Sequence, residues 1–240
     1  DDASRTRQMA QAVSDEDLFD FYNSVIPNTV TSVADLAKWW KSKHDEQPDL
    51  LDFDPEKVLK EGTPEREAFY HDMAVIAGYL KEFCDAGIPI LWRPFHESDG
   101  TWFWWGSKGP EVAKELYLLM YDYYVNEWHL DNLLWVWNCR LPEGYPGDAY
   151  VDVVSVDIYL PEYQPTDYAD AYGELIKATS SDKVAALAEV GYMPDVDCLA
   201  QSHTPWAYYM TWSKEFCIGE QYNSKEHLRR MYDSDYAVTE

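Results

Sequence analysis

Basic residues are scarce in this sequence: 19 Lys and Arg stand against 44 Asp and Glu, for a net charge of -25 over 240 residues. That balance argues against nucleic acid, anionic membranes and polyanionic substrates, whose recognition needs clusters of Lys and Arg. A neutral polymer stays compatible with it, although solubility alone would account for the charge equally well. No run of 18 consecutive apolar residues occurs, so no membrane span is expected. The four cysteines, Cys84, Cys139, Cys198 and Cys217, include no CxxC pair, which removes the common zinc spacing. Cys198 and Cys217 could join in an oxidising compartment, and buried thiols are the equal alternative. HExxH, a Gly-rich phosphate loop and a Ser-centred elbow are all missing, and His71, His129, His203 and His227 are scattered singly. The residues therefore call for neither a metal nor a cofactor.

Aromatic residues, by contrast, are abundant, with 11 Trp and 19 Tyr. Four of the Trp fall in the stretch Ile88 to Gly106, IPILWRPFHESDGTWFWWG. Its first part, through Ile90 and Trp92, reads as a strand buried on both faces. The apolar run stops at Arg93, and His96 and Glu97 follow. Asp99-Gly100 then reads as a turn, and Trp102, Phe103, Trp104 and Trp105 come next. Sugar rings offer flat C–H faces rimmed by hydroxyls, so a site for them needs aromatic platforms beside a few polar groups. A buried aromatic cluster beside a structural Glu–Arg pair is the plainer alternative.

Along the chain, helix signals alternate with short apolar runs. Thr63 and Pro64 open a helix with an inner stripe of Phe69, Met73, Ile76, Ala77, Leu80 and Phe83, closed by Gly87. Gly109-Pro110 opens another, running to about Asn126, with Val112, Leu116, Leu119, Met120 and Tyr123 inward. Residues 133–138, 153–159, 184–191 and 206–212 read as further strands, and 167–178 and 223–232 as helices. This order implies a parallel sheet with helices outside. Polar or aromatic residues end every strand: Glu97, Asn138, Asp157 with Tyr159, Glu189 and Trp212. Such repetition favours a barrel, in which all strand ends converge on one mouth. The expected fold is a (β/α)8 TIM barrel with five strands legible. Strands one to three are unclear or missing, because residues 1–87 carry nothing like three buried strands. One catalytic domain, 1–240, is expected, with a weakly patterned part at 1–62. A chain opening on Asp1-Asp2 rather than Met reads as a processed product and leaves secretion open.

Glu97 and Glu189 are the natural pair for glycoside hydrolysis, which uses one carboxyl group to protonate the leaving oxygen and another to attack the anomeric carbon or activate water. Residues 93, 95 and 97 share a strand face if the strand continues, so Arg93 could hold the charge. Two unrelated strand-end glutamates are the alternative that spacing leaves open.

The motifs RPFHESDGTWFWWG, LLWVWN, YPGDAYVDVVSVDIY and ALAEVG, in that order, resemble glycoside hydrolase family 26, whose best known members are endo-β-1,4-mannanases. The resemblance covers roughly residues 63–218. It implies retaining, double-displacement chemistry without a cofactor, with Glu97 as acid/base and Glu189 as nucleophile. His96 would position the acid/base, Trp102 would floor the neighbouring subsite, Tyr159 would contact the nucleophile, and Trp212 would lie under the sugar being cut. Arg93, Trp105 and Asn138 join these as expected substrate-binding residues. The family's Trp-His motif on the third strand has no counterpart, because Trp39-Trp40 is followed by Lys41. A secreted, monomeric endo-mannanase is the reading this implies. Mixed-linkage β-glucan, β-1,3-xylan and a non-catalytic glycan-binding barrel are its alternatives.

Overall fold

Thr63 caps the long helix as its position suggests: its Oγ1 accepts from the Arg66 N–H at 3.3 Å, and Pro64 takes the first helical position, where a missing N–H costs nothing. The computed structural model describes residues 53–238. Most of the weakly patterned part at 1–62, with Trp39-Trp40 and the place of the missing Trp-His motif, lies outside the described residues. Within them, α1 (Pro55–Val58) and α2 (Pro64–Asp85) lead to β1 (Ile90–Trp92). There follow α3 (Pro110–Asp122), continued by a π-helical turn at Tyr123–Glu127, and β2 (Leu133–Asn138). Next come β3 (Val153–Ile158), α4 (Ala169–Ala178), β4 (Val184–Val190), α5 (Val196–Ser202), β5 (Trp206–Thr211) and α6 (Lys225–Tyr232).

The five strands pair in the order β1-β2-β3-β4-β5, each parallel to the next. Sequential order with right-handed crossovers puts the intervening helices on one face and leaves the other face inside a curving wall. This is the strand order of a (β/α)8 barrel, with five strands in the described residues. Alternation along the strands assigns the faces. Trp135, Trp137, Val154, Val156, Ala185 and Leu187 pack in the main core with Phe69, Met73, Leu116 and Tyr117 from the helices. Val136, Val153 and Ala186 form a separate inner cluster with Tyr208. Each large apolar side chain so buried contributes about 1.5–3 kcal/mol.

One helix expectation and one strand expectation need correction. On α2, Phe69, Met73, Ala77 and Leu80 are buried as the stripe predicts, but Ile76 and Phe83 are exposed. The true stripe is narrower than the run of apolar letters. β1 is shorter than expected and is not buried on both faces: Leu91 is 49 % exposed, and within the described residues β1 pairs only with β2. Cys198 lies on α5, capped by Asp195, whose Oδ1 accepts from the N–H groups of Asp197 and Cys198. Cys198 and Cys217 are not joined in the structure.

Candidate active site at the strand ends

Simple alternation along β4 would send Glu189 outward with Ala185 and Leu187. The β3–β4 register shifts instead between Val156↔Leu187 and Asp157↔Glu189, which leaves Ala188 as an extra residue. A bulge of this kind re-aims every side chain beyond it. Glu189 therefore turns to the inner face beside Asp157, and Val190 turns into the helix-side core. Small residues below, Ser155, Ala186 and Ala188, leave room for a long side chain to cross.

Arg93 is that side chain. Its guanidinium donates to Asp157 Oδ2 at 2.9 Å and to Glu189 Oε1 at 2.5 Å. The two acid side chains are 1 % and 5 % exposed. Burial opposes the charge on Arg93, but the two carboxylates outweigh it and hold the guanidinium above its ordinary pKa. Asp157 is pushed up to about 7, first by burial and then by the charge of Glu189, against the opposing pull of Arg93. Tyr159, just past the end of β3, donates its hydroxyl to Glu189 Oε2 at 2.8 Å. Burial, then this hydrogen bond, raises the phenol above its usual range, so it stays a donor. Gly191 keeps the approach open: a Cβ there would lie 3.3 Å from the Tyr159 ring and 3.0 Å from Phe216.

Glu97 arrives differently. The strand ends at Trp92, and Phe95 and Glu97 adopt left-handed φ values of 54° and 52°. The expected shared face of residues 93, 95 and 97 is thereby broken. Phe95 points into the core against Phe69 and Trp104, and Arg93 pairs with Asp157 and Glu189. Glu97 Oε2 accepts the indole N–H of Trp102 at 2.8 Å. Trp102 is 59 % exposed, a ring open to solvent beside a carboxylate. Gly100 is required beneath it, since a Cβ there would sit 2.1 Å from the indole.

The remaining candidates divide. The His96 ring packs on Phe103 and Trp105 with centroids 4.6 and 5.6 Å away, and burial, then Arg93, lowers its pKa and favours the neutral imidazole. Trp105 stacks on Phe103 and donates to the His96 carbonyl at 2.8 Å, so it buttresses the loop. Asn138 is 2 % exposed and lies under the site rather than on its surface. Trp212 is exposed, and its N–H binds the Val190 carbonyl, next to Glu189 in the chain. Asp157 had been noted only as a strand-end residue. Its place opposite Glu189 depends on the bulge, which periodicity does not reveal.

One carboxylate oxygen from each of Glu97, Asp157 and Glu189 lies within 4.8 Å of the other two. Three such oxygens could ligate a hard cation, but two of these acids already share the Arg93 guanidinium, so the chain supplies its own counter-charge. An oxygen approach within 4.8 Å is nearer to the roughly 5–5.5 Å carboxyl separation at which one carboxylate attacks directly than to the roughly 6.5–9.5 Å that admits a water between them.

The family model for Glycosyl hydrolase family 26 matches residues 1–240. A mannan endo-1,4-beta-mannosidase of Thermothelomyces thermophilus is 40 % identical over 207 residues, 86 % of this chain and 42 % of that protein. One from Bacillus subtilis is 29 % identical over 223 residues, 83 % of this chain and 59 % of that protein. Among solved structures, a beta-(1,4)-mannanase of Podospora anserina has a TM-score of 0.73 at 38 % identity, covering 78 % of this chain and 42 % of that one. A beta-mannanase from a symbiotic protist of the termite Reticulitermes speratus, complexed with gluco-manno-oligosaccharide, has a TM-score of 0.70 at 36 % identity, covering 78 % and 58 %. The chain thus spans less than two thirds of the length of these relatives. With the family model matched from end to end and 40 % identity to one mannosidase, the chain belongs to Glycosyl hydrolase family 26.

Proposed function

We propose that this chain carries the catalytic centre of a retaining endo-β-1,4-mannanase acting on mannan, glucomannan or galactomannan. The observation that carries the reading is the pair Glu97 and Glu189, with carboxylate oxygens within 4.8 Å and with different surroundings. Glu189, held by Arg93 and Tyr159, attacks the anomeric carbon. The glycosidic C–O bond breaks as Glu97 gives its proton to the departing oxygen, and a glycosyl ester of Glu189 forms. Water then adds at the same carbon, Glu97 takes its proton, the ester bond breaks and the Glu189 carboxylate is restored. The balance is one glycosidic bond and one water consumed.

The exposed Trp102 face beside Glu97 suits the sugar on the leaving side, His96 directly precedes Glu97 in the chain and lies within the electrostatic reach of both acids, and Trp212 borders the sugar being cut. The names of the relatives support mannan as substrate. Both carboxylates come from one chain, so a monomer suffices, and the family match over residues 1–240 favours one catalytic domain. Among the described residues no helix is long and apolar enough to cross a membrane. A polymeric substrate outside the cell makes secretion part of the same reading.

The test is reducing-sugar release from galactomannan, mixed-linkage β-glucan and β-1,3-xylan, with Glu189→Ala as control. Release from galactomannan alone, lost in the variant by about four orders of magnitude or more, supports the reading. Release from another polymer would change the substrate and keep the chemistry. Soluble, folded protein that binds mannan but releases nothing would make it a binding module.

A further inference from the structure

Glu97 holds an unfavourable backbone conformation at the end of a short strand. A left-handed φ is unfavourable for a non-glycine residue, and two such residues, Phe95 and Glu97, lie within three positions. Something must index this loop to the sheet. The Glu97 N–H donates to Asn138 Oδ1 at 2.7 Å, the shortest of the Asn138 contacts. The other end of the same carboxamide donates to Asp157 Oδ1 at 2.9 Å and to Ser155 Oγ at 3.0 Å. The partners fix which end is which: an N–H must face the oxygen, and the Asp157 carboxylate must face the nitrogen. Both hydrogens of Nδ2 are therefore committed, and the side chain is 2 % exposed. No Nδ2 hydrogen is left over for a sugar.

We propose that Asn138 is a positioning residue for the acid/base. It holds Glu97 through its backbone N–H and ties that backbone to Asp157, which shares Arg93 with Glu189. One buried carboxamide thereby sets the spacing of the two catalytic carboxylates. This inference rests on the roles given above to Glu97 and Glu189.

The test separates the step that needs a proton from the step that does not. Galactomannan has a poor leaving group and requires the acid. A 2,4-dinitrophenyl β-mannobioside has a leaving group that departs without a proton, so its pre-steady-state burst reports attack by Glu189 alone. In Asn138→Ala, kcat on galactomannan is expected to fall by about 10²-fold, the cost of a misplaced general acid, with KM within about threefold. The burst rate should change by less than about fivefold. Glu97→Ala, run in parallel, should show the same leaving-group split more strongly. Equal losses on both substrates in Asn138→Ala, with the split intact in Glu97→Ala, would overturn the proposal and leave the mechanism standing. Absence of the split in Glu97→Ala would overturn the mechanism itself. Should Asn138→Ala not fold, Asn138→Asp carries the test by the same ratio. It keeps the volume and the acceptor for Glu97 but places a carboxylate against Asp157, so its galactomannan activity should recover as pH falls and the new acid takes a proton.

Discussion

Glu189 and Glu97 face each other across a few ångströms, yet they are held in opposite ways. Glu189 sits within a strand that is paired on both sides, is almost fully buried, and has both carboxylate oxygens occupied by Arg93 and Tyr159. Glu97 sits on a loop after the sheet has ended, half-buried, with one side-chain hydrogen bond from an exposed indole and its backbone held by Asn138. A nucleophile needs one protonation state and one position throughout. An acid/base must lose a proton and regain it in each cycle, so donors locked on both oxygens would hinder it. The contrast says that rigidity was placed on the attacking carboxylate and that room was left around the shuttling one.

Removing Arg93 should break this contrast most severely. Arg93→Met leaves Asp157 and Glu189 facing each other without a cation, and loss of one partner from a buried charge cluster costs about 3–5 kcal/mol. Activity on galactomannan should fall by at least 10³-fold, and the urea midpoint should drop with it. Retention of wild-type stability would mean that the two acids do not depend on the guanidinium.

Tyr159→Phe should cost less. A hydrogen bond to a charged acceptor is worth about 1.5–3 kcal/mol, and with the tyrosine 44 % exposed the lower end applies. Hence kcat/KM should fall about 10-fold with little change in stability. An unchanged rate would show that the guanidinium alone orients Glu189.

The burial of Asp157 also leaves a trace in stability against pH. Asp157 is pushed from 3.8 up to about 7, chiefly by burial. Between about pH 4 and 7 the folded chain then holds more protons than the unfolded one, so stability falls as pH rises through that window, by at most about 1.4 kcal/mol per unit. Below pH 4 and above pH 7 this contribution is level. Asp157→Asn should flatten the dependence, and urea midpoints at pH 5, 6, 7 and 8 for both proteins would decide it. Parallel curves would place the titration elsewhere.

The two halves of the site were unequally legible in the sequence, for a physical reason. β2 ends at Asn138 as its apolar letters say, and Glu189 falls near the end of β4 while Glu97 follows β1 on a loop, because burial of a parallel sheet writes itself as short apolar runs. The aiming of those residues was not written there. Period-two alternation sends Glu189 to the wrong face, since the extra residue at Ala188 has no local signature. It also carries the β1 strand on to residue 97, since neither Phe95 nor Glu97 is a residue type that announces a left-handed turn. For the same reason alternation sets Arg93 beside Glu97, and nothing local ties Asn138 to the Glu97 backbone. Long-range hydrogen bonds, Asn138 to Glu97 and Arg93 to Glu189, decide both cases.

The smallest expected effect sharpens the contrast further. Trp102→Phe keeps an aromatic face for the leaving-side sugar and removes only the N–H that meets Glu97 Oε2. At so exposed a position that bond is worth about 0.5–1.5 kcal/mol, so kcat should fall by less than about 10-fold while KM stays within about twofold. Trp102→Ala removes the platform as well, and there KM should rise. The comparison with Tyr159→Phe is the informative one, because both variants delete a single donor to a catalytic carboxylate. If the Trp102→Phe loss equals or exceeds the Tyr159→Phe loss, then Glu97 depends on a fixed donor as heavily as Glu189 does, and freedom around the acid/base is not how this site divides the work.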